Sequence, residues 1–478
     1  MTTARIDETA QTLVIAGAGP RPAHAELVGP RARVDARLDG SGTTWSATFP
    51  LEAARWGGPA LPLPSGDYTV TVDGEDLAGI EFSPVRLPGL RIGADAGSVR
   101  IGAPVDPLYE TAEGQQTLEE RYVGQAGGTE NAVFFESFYG RSVGCNPQAI
   151  DREIAARAPD VRRYWSVVDF SVPVPDGAVA VVEGSPEWWR ARGAARLLVV
   201  NDWLRRRFVR KSGQRVLQTW HGTPLKRLAL HRPGFHPRRM AAVVKESRRW
   251  DVLLAQNTYS ERILKKAYAF FGRPIWVEGY PRNDALTSTD GAVIRAALGI
   301  APDERVLLYA PTWRDDRSEM VDFIDAEKLA EQTDSVVLVR GHSRTLPAGR
   351  DHAGARVIDV TGYPETAQLL VAADALITDY SSVMFDFSVT GKPMYFLVPD
   401  IAHYRGTLRG FYFDLDERAP GPLVATQDDL VAALADTGHE ERYAERYAAW
   451  RRQFNARDDG RAAERVVDRI FDQGFLTR

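Results

Sequence analysis

The chain has 478 residues, a formal net charge of −5, 44% apolar and 26% charged residues, and one cysteine, Cys145. These totals exclude a disordered chain, a disulfide framework and a cysteine-built zinc site, and argue against a general nucleic-acid binder. The length predicts several domains of the usual ~100–200 residues each, and three is the reading. The start, "MTTARIDETAQTLV", has no basic-then-apolar leader, and no run of ~18 apolar residues occurs, so neither export nor a membrane span is expected.

Residues 1–105 alternate with period two, as half-buried strands do. Ala32, Val34, Ala36 and Leu38 stand against Arg33, Asp35, Arg37 and Asp39, and Trp45, Ala47, Phe49 and Leu51 repeat the beat. A small all-β, sandwich-like domain is expected there. From about Asn131 the pattern changes to continuous apolar strands ("AVFFES", "WSVVDF", "RLLVV", "RVLQTW", "DVLLAQN") between helical stretches, which predicts a parallel sheet in a Rossmann-like, doubly wound domain over 106–285. A second series ("RVLLYAP", "SVVLVRG", "ADALITD", "PMYFLVP") predicts another over 286–455, with a cleft between the strand ends of the two. The last segment, 456–478, carries Ala463, Val466, Val467, Ile470 and Phe471 on one helical face and is expected to dock back on the first of these domains.

Four strand ends could carry chemistry. In "LQTWHGTPLK" the strand stops at Trp220, His221 follows, and Thr223-Pro224 reads as the start of a helix; a histidine there can take a proton near neutral pH. In "ITDYSSVMFDF" the strand ends at Ile377, and Ser381 or Ser382 can cap a helix whose first N–H groups attract anions. The hydroxyls of Thr378, Ser381 and Ser382 serve either as an anion grip or as plain caps. In "LVRGHSR", Arg340, His342 and Arg344 form either a phosphate clamp or a solvated loop. In "YAPTWRDD", Trp313 and Arg314 can line the cleft, while Asp315 and Asp316 could ligate Mg²⁺ but read more simply as surface acids. No phosphate-binding G-x-x-x-x-G-K-[ST] loop, H-E-x-x-H helix or G-x-S-x-G elbow is present.

In chain order, "FFESFYGRSVGCNP", "LQTWHGTPLK", "GYPRND", "YAPTWRD", "RGH", "TDYSSVMFDF" and "GKP" resemble the CDP-glycerol glycerophosphotransferase family of teichoic-acid and capsule polymerases and primases, over about Asn131 to Asp414. The resemblance implies a GT-B-like pair of Rossmann-like domains behind the β domain, with no obligatory metal. It implies transfer of a polyol phosphate, glycerol phosphate first, from a CDP-activated donor to a hydroxyl, with release of CMP. It places catalytic roles on His221 and His342. Donor contacts fall on Gly222, Thr312, Trp313, Arg314, Arg340, Thr378, Asp379, Ser381, Ser382 and Arg405, with Tyr404 beside the last. "FYGRSVGCNP" departs from the family's more polar stretch, which leaves Arg141 and Asn146 without an assigned role.

Between Trp203 and Arg249 stand 14 Lys or Arg and one acid, Glu246. Arg205, Arg206, Lys226, Arg238 and Arg239 are expected to guide a polyanionic or lipid-linked acceptor or to rest on an anionic membrane surface; the plain alternative is a set of solvated helix faces. The expected location is the cytoplasm, at the inner face of the cell membrane, with no nucleic-acid partner. Two rival readings are a nucleotide-sugar glycosyltransferase on the same architecture and an inert protein that binds wall polymer through its β domain.

Overall fold

The computed structural model describes residues 2–125, 127–312, 323–341, 356–405 and 410–478. Its first hundred residues form two larger antiparallel sheets and a two-stranded hairpin of Glu52–Ala54 with Ala60–Pro62. One of the larger sheets orders the strands Thr3–Asp7, Thr12–Ala18, Thr44–Pro50 and Arg37–Ser41; the other runs from Val85–Arg86 through Gly66–Val72 to Ala25–Val28 and Arg33–Asp35. Leu13, Ile15 and Phe49 of the first sheet meet Leu27, Tyr68, Val70 and Ile92 of the second in one buried cluster, so the sheets pack face to face. The alternating run from Ala32 to Asp39 is not one strand. It breaks at Ala36, whose N–H turns to the Ala25 carbonyl (2.9 Å), and its halves join different sheets.

Two parallel sheets follow. The first has the order Val179–Val182, Arg162–Val167, Glu130–Glu136, Ala195–Val200, Arg215–Gln218, Val252–Ala255 and Ile275–Val277. The second has Val357–Asp359, Ser335–Val339, Arg305–Ala310, Ala375–Thr378, Met394–Leu397 and Leu423–Val424. Both begin in the middle, grow to one side and then reverse to the other. That order is the doubly wound one, in which ligands sit at the carboxyl ends of the first and fourth strands. The strands are apolar throughout because both faces are covered by helices: Leu307, Tyr309 and Ile377 fill one cluster, Val306, Leu308 and Leu376 the opposite one.

The C-terminal helix Ala462–Asp472 inserts Val466, Val467 and Ile470 among Val133, Phe135, Ile150 and Ile154 of the first lobe. Asp284 accepts from the N–H groups of Ala462 and Ala463 (2.9 and 2.8 Å) and so supplies the cap that this helix lacks in its own sequence. The preceding helix His439–Phe454 instead buries Trp450 and Phe454 in the second lobe. The chain's end therefore ties the two lobes together. Among the described residues no helix is long and apolar enough to cross a membrane.

Candidate active site

In the first lobe the fourth strand ends at Val200 and the fifth at Gln218, and the residues just beyond them converge. The Asn201 carbonyl lies 2.6 Å from His221 Nδ1. A carbonyl can only accept, so Nδ1 carries the proton and Nε2 is left with its lone pair, the tautomer of a general base. The imidazole is half-buried, stacked on Trp220 (4.7 Å between ring centroids) and met edge-on by Phe138 (5.6 Å). Burial pushes its pKa below the ordinary 6.5 and outweighs the pull of Asp202 and of the Asn201 carbonyl in the other direction; Arg282 adds to the lowering. Asp202 accepts from Tyr139 Oη (2.6 Å) and from the N–H of Trp203 (2.8 Å), so it is held by donors of its own.

Backbone strain concentrates around this point. Phe138, Tyr139, Cys145 and Trp220 all adopt left-handed conformations (φ 46, 59, 60 and 54°), each costing about 1–3 kcal/mol unless the surroundings enforce it. The enforcement is visible. Asn201 Oδ1 accepts from the Phe138 N–H (2.9 Å), Asn146 Nδ2 donates to the carbonyl of Trp220 (3.1 Å), and Gln218 Oε1 accepts from the Trp220 N–H (2.9 Å). Asn146, without a role on sequence grounds, thus clasps the strand end that presents His221.

The second lobe repeats the switch-point geometry. Register pairs Ala310 with Thr378, and the Thr378 hydroxyl donates to the Ala310 carbonyl (2.7 Å). Asp379, buried next to it, accepts from the N–H of Thr312 (2.9 and 3.0 Å), which lies beyond the first strand. Helix Val383–Phe387 follows.

The lobes touch at the site itself. A Cβ on Gly222 would lie 2.8 Å from Ser382 Oγ and 3.1 Å from its Cβ, so glycine is what lets the His221 segment approach the start of that helix. We expect Gly222→Ala to lose about 1–3 kcal/mol of stability through overpacking. In thermal unfolding, Gly222→Ala combined with Ser382→Gly should recover most of that loss; an unshifted single variant would remove the steric argument.

Arg282 closes the junction. Its Nη1 donates to the His221 carbonyl and to Cys145 Sγ (3.0 Å each), and its Nη2 to Asp386 Oδ2 across the cleft (2.7 Å). The Arg282 backbone N–H reaches Asn146 Oδ1 (3.3 Å). Burial is the largest influence and works against its charge, but Asp386, Cys145 and Tyr280 together outweigh it and hold the guanidinium pKa above its ordinary value. Neither Arg282 nor Asp386 was expected from sequence. The available signal was a lone carboxylate inside the apolar run "VMFDF", which must find a cation when buried.

Other expectations change. No helix starts at Thr223-Pro224: residues 223 and 224 are irregular, and the first helical turn is Ala229–His231. Thr223 instead turns its buried hydroxyl to Gln256 and Ser260, and the next residues run against the other lobe, with Tyr412 N–H to Leu225 O (2.8 Å) and Arg227 N–H to Gly410 O (3.1 Å). Ser382 makes no side-chain cap, and Ser381 Oγ is 3.4 Å from the Val383 N–H. The Thr378 hydroxyl, expected as a ligand donor, is spent inside the sheet. Arg340 is also spent locally: it donates to the carbonyls of Val360 (2.9 Å) and Tyr363 (3.1 Å) and to Thr366 Oγ1 (2.9 Å), and burial lowers its pKa to about 10. Arg405 pairs with Asp414 and Asp416 at the rim of a cavity of about 430 Å³, which also brings in Arg227 and Tyr412. Trp313, Arg314, Asp315, Asp316, His342 and Arg344 lie outside the described residues.

The basic strip is less free than its composition implies. Arg205 and Arg206 both bind Glu183 (3.0 and 2.9 Å), and Arg239 folds back on the carbonyls of Arg232, Pro233 and Gly234. Lys226 lies 5.6 Å over the Tyr404 ring, while Arg238 is exposed on helix Pro237–Ser247. Among the described residues, the one group of His, Asp and Glu close enough to hold a metal ion is His24, Glu26 and Asp35 in the β domain, where Glu26 already meets Arg33 (3.3 Å).

Residues 124–472 match the model of the family described as CDP-glycerol:poly(glycerophosphate) glycerophosphotransferase. The chain is 36% identical over 363 residues to a teichoic acid poly(glycerol phosphate) polymerase of Bacillus subtilis (strain 168), covering 71% of this chain and 48% of that protein, so it spans about half the length of that relative. Against a teichoic acid glycerol-phosphate transferase of Staphylococcus aureus (strain NCTC 8325 / PS 47), identity is 34% over 384 residues, 72% of this chain and 93% of the other. A solved structure of the wall teichoic acid polymerase TagF, a variant soaked with CDPG, superposes with a TM-score of 0.69 at 30% identity, over 76% of this chain and 98% of that one.

Proposed function

This chain belongs to the CDP-glycerol:poly(glycerophosphate) glycerophosphotransferase family, and from that premise we propose that it moves a polyol phosphate, glycerol phosphate first, from a CDP-activated donor to a hydroxyl of a teichoic-acid-like or capsule-like acceptor. The acceptor oxygen attacks the donor's β-phosphorus in line. As the new P–O bond forms, the bridging P–O bond to CMP breaks, the acceptor proton goes to His221 Nε2, and CMP leaves with the electron pair. The observation that supports this reading is the His221 tautomer: Nδ1–H is committed to the Asn201 carbonyl, and Nε2 keeps a free lone pair on a segment whose next residue, Gly222, meets Ser382 of the other lobe. Phosphoryl transfer asks the protein mainly for positioning and charge stabilisation. His342, Trp313, Arg314 and the backbone from Thr312 and from Asp379 to Ser382 are assigned to the donor's diphosphate. Arg405, on the rim of the 430 Å³ cavity, is assigned to the same donor.

The test offers CDP-glycerol, CDP-ribitol and UDP-sugars to the full chain with a lipid-linked acceptor, and follows nucleotide release and acceptor mass. CMP release with an acceptor gain of one or more polyol phosphates is expected; UDP release with a glycosylated acceptor would replace this reading by the glycosyltransferase one.

Peripheral binding at the cytoplasmic face of a membrane belongs to the same proposal. Phe235, 81% exposed, stands two residues before helix Pro237–Ser247, whose Arg238 and Lys245 are exposed while Val243 is buried. An aromatic side chain beside exposed cations suits an anionic interface. Phe235→Ser with Arg238→Glu should abolish co-flotation with phosphatidylglycerol vesicles at low salt, and undiminished flotation would remove this surface from the proposal.

A further inference from the structure

The family match begins at residue 124, so the β domain stands outside it, yet the domain touches both lobes. On one side Arg31 Nη2 and the Ser65 N–H converge on a single oxygen of Asp169 in the first lobe (2.6 and 2.9 Å), an anchor buried at its acidic end. On the other side projects a hairpin of strands Glu52–Ala54 and Ala60–Pro62. At its tip Trp56, in a left-handed conformation (φ 53°), packs edge-on against Tyr363 of the second lobe (5.4 Å between centroids). Trp56 belongs to the second lobe's apolar cluster and not to the core of its own domain.

Tyr363 sits in the loop 360–366, where three parts of the molecule meet. The loop's carbonyls and Thr366 hold the Arg340 guanidinium, and Thr361 Oγ1 accepts from the Gly341 N–H (2.8 Å). From the first lobe, Arg152 forms an ion pair with Glu365, and Gln148 Nε2 approaches the same carboxylate (3.4 Å); both lie on the helix Cys145–Arg157 that begins beside His221's clamp.

We propose that Trp56 is a positioning residue through which the β domain sets the second lobe against the first: it presses loop 360–366 into the place from which that loop holds Arg340 and Gly341 at the cleft. The β domain, fixed to the first lobe at Asp169, acts as an arm reaching the second. The contact is made by packing alone, since the Trp56 indole N–H is buried without a hydrogen-bond partner. Ring area and not the N–H should therefore be what matters. The inference rests on the cleft being the donor site proposed above.

The test uses the full chain with Trp56→Ala, Trp56→Phe and, for the opposite anchor, Arg31→Ala. In Trp56→Ala, amides of residues 357–368 should exchange with solvent deuterium about tenfold faster, while the β-domain core keeps its protection. The donor KM should rise about fivefold with kcat within about twofold, the pattern of lost positioning without lost chemistry. Trp56→Phe should restore both, and Arg31→Ala should move both in the same direction as Trp56→Ala. Unchanged exchange over 357–368 in Trp56→Ala, or a Trp56→Phe variant no better than Trp56→Ala, would overturn the proposal. If the parent protein transfers nothing from a CDP-donor, the functional reading fails while the exchange measurement still decides whether Trp56 holds the loop.

Discussion

Replacing His221 by asparagine removes transfer while leaving the donor bound. Asparagine is short and cannot accept a proton, so turnover measured as CMP release should fall by about 10²–10⁴-fold, the range lost with a general base. Donor affinity measured by calorimetry should stay within a few-fold, because the donor contacts are assigned to the other lobe. A variant that keeps a tenth of parental turnover would take His221 out of the mechanism. The pH dependence should carry the same signature. The base must be neutral to act, and burial holds its pKa below the ordinary 6.5, so kcat/KM should rise with pH along a limb centred below that value and then stay flat through neutrality. Stability follows the same sign. Just below pH 6.5 the unfolded chain binds a proton that the folded site refuses. The site's contribution is thus complete above that pH and is lost as pH falls through the folded pKa. The asparagine variant should show a shallower acid-side loss of stability.

Arg282→Met should do more damage to the fold than any other change at the site. Its side chain and that of Asp386 are 17% and 10% exposed, and removing one partner strands the other, at a cost of about 3–5 kcal/mol. It also frees the His221 carbonyl and Cys145, so turnover should fall along with the unfolding midpoint in urea. Arg282→Met with Asp386→Leu separates the two effects. Replacing a buried ion pair by apolar groups of similar size is often neutral or stabilising, so stability should return while activity does not. Recovery of both would mean that Arg282 serves folding alone.

Much of the architecture was legible in the chain. Apolar runs such as "RVLLYAP" and "ADALITD" read as strands covered on both faces, and the period-two beat before residue 105 reads as a half-exposed sheet. His221 was legible because it stands just past such a strand. Arg282 and Asp386 were not. Each lies in a short motif that says nothing of the other, 104 residues away in sequence. The helix foreseen at Thr223 failed for a related reason: a Thr-Pro start favours a helical turn only weakly, and pairing of residues 225–227 with the segment around Gly410 and Tyr412 overrode it.

The sequence alone determined the β domain, the two runs of buried parallel strands and the placing of a histidine just past one of them, since periodicity, burial and local turn chemistry are properties of neighbours along the chain. Only the tertiary structure decided which polar groups remain for a ligand. Thr378 and Arg340 carry suitable donors, yet Ala310 and the 360–366 loop claim them. Asn146 and Arg282, unremarkable in sequence, set the position of His221. A hydrogen-bonding group inside a protein binds whichever complement folding places within about 3 Å of it, and that choice is made by packing between segments hundreds of residues apart.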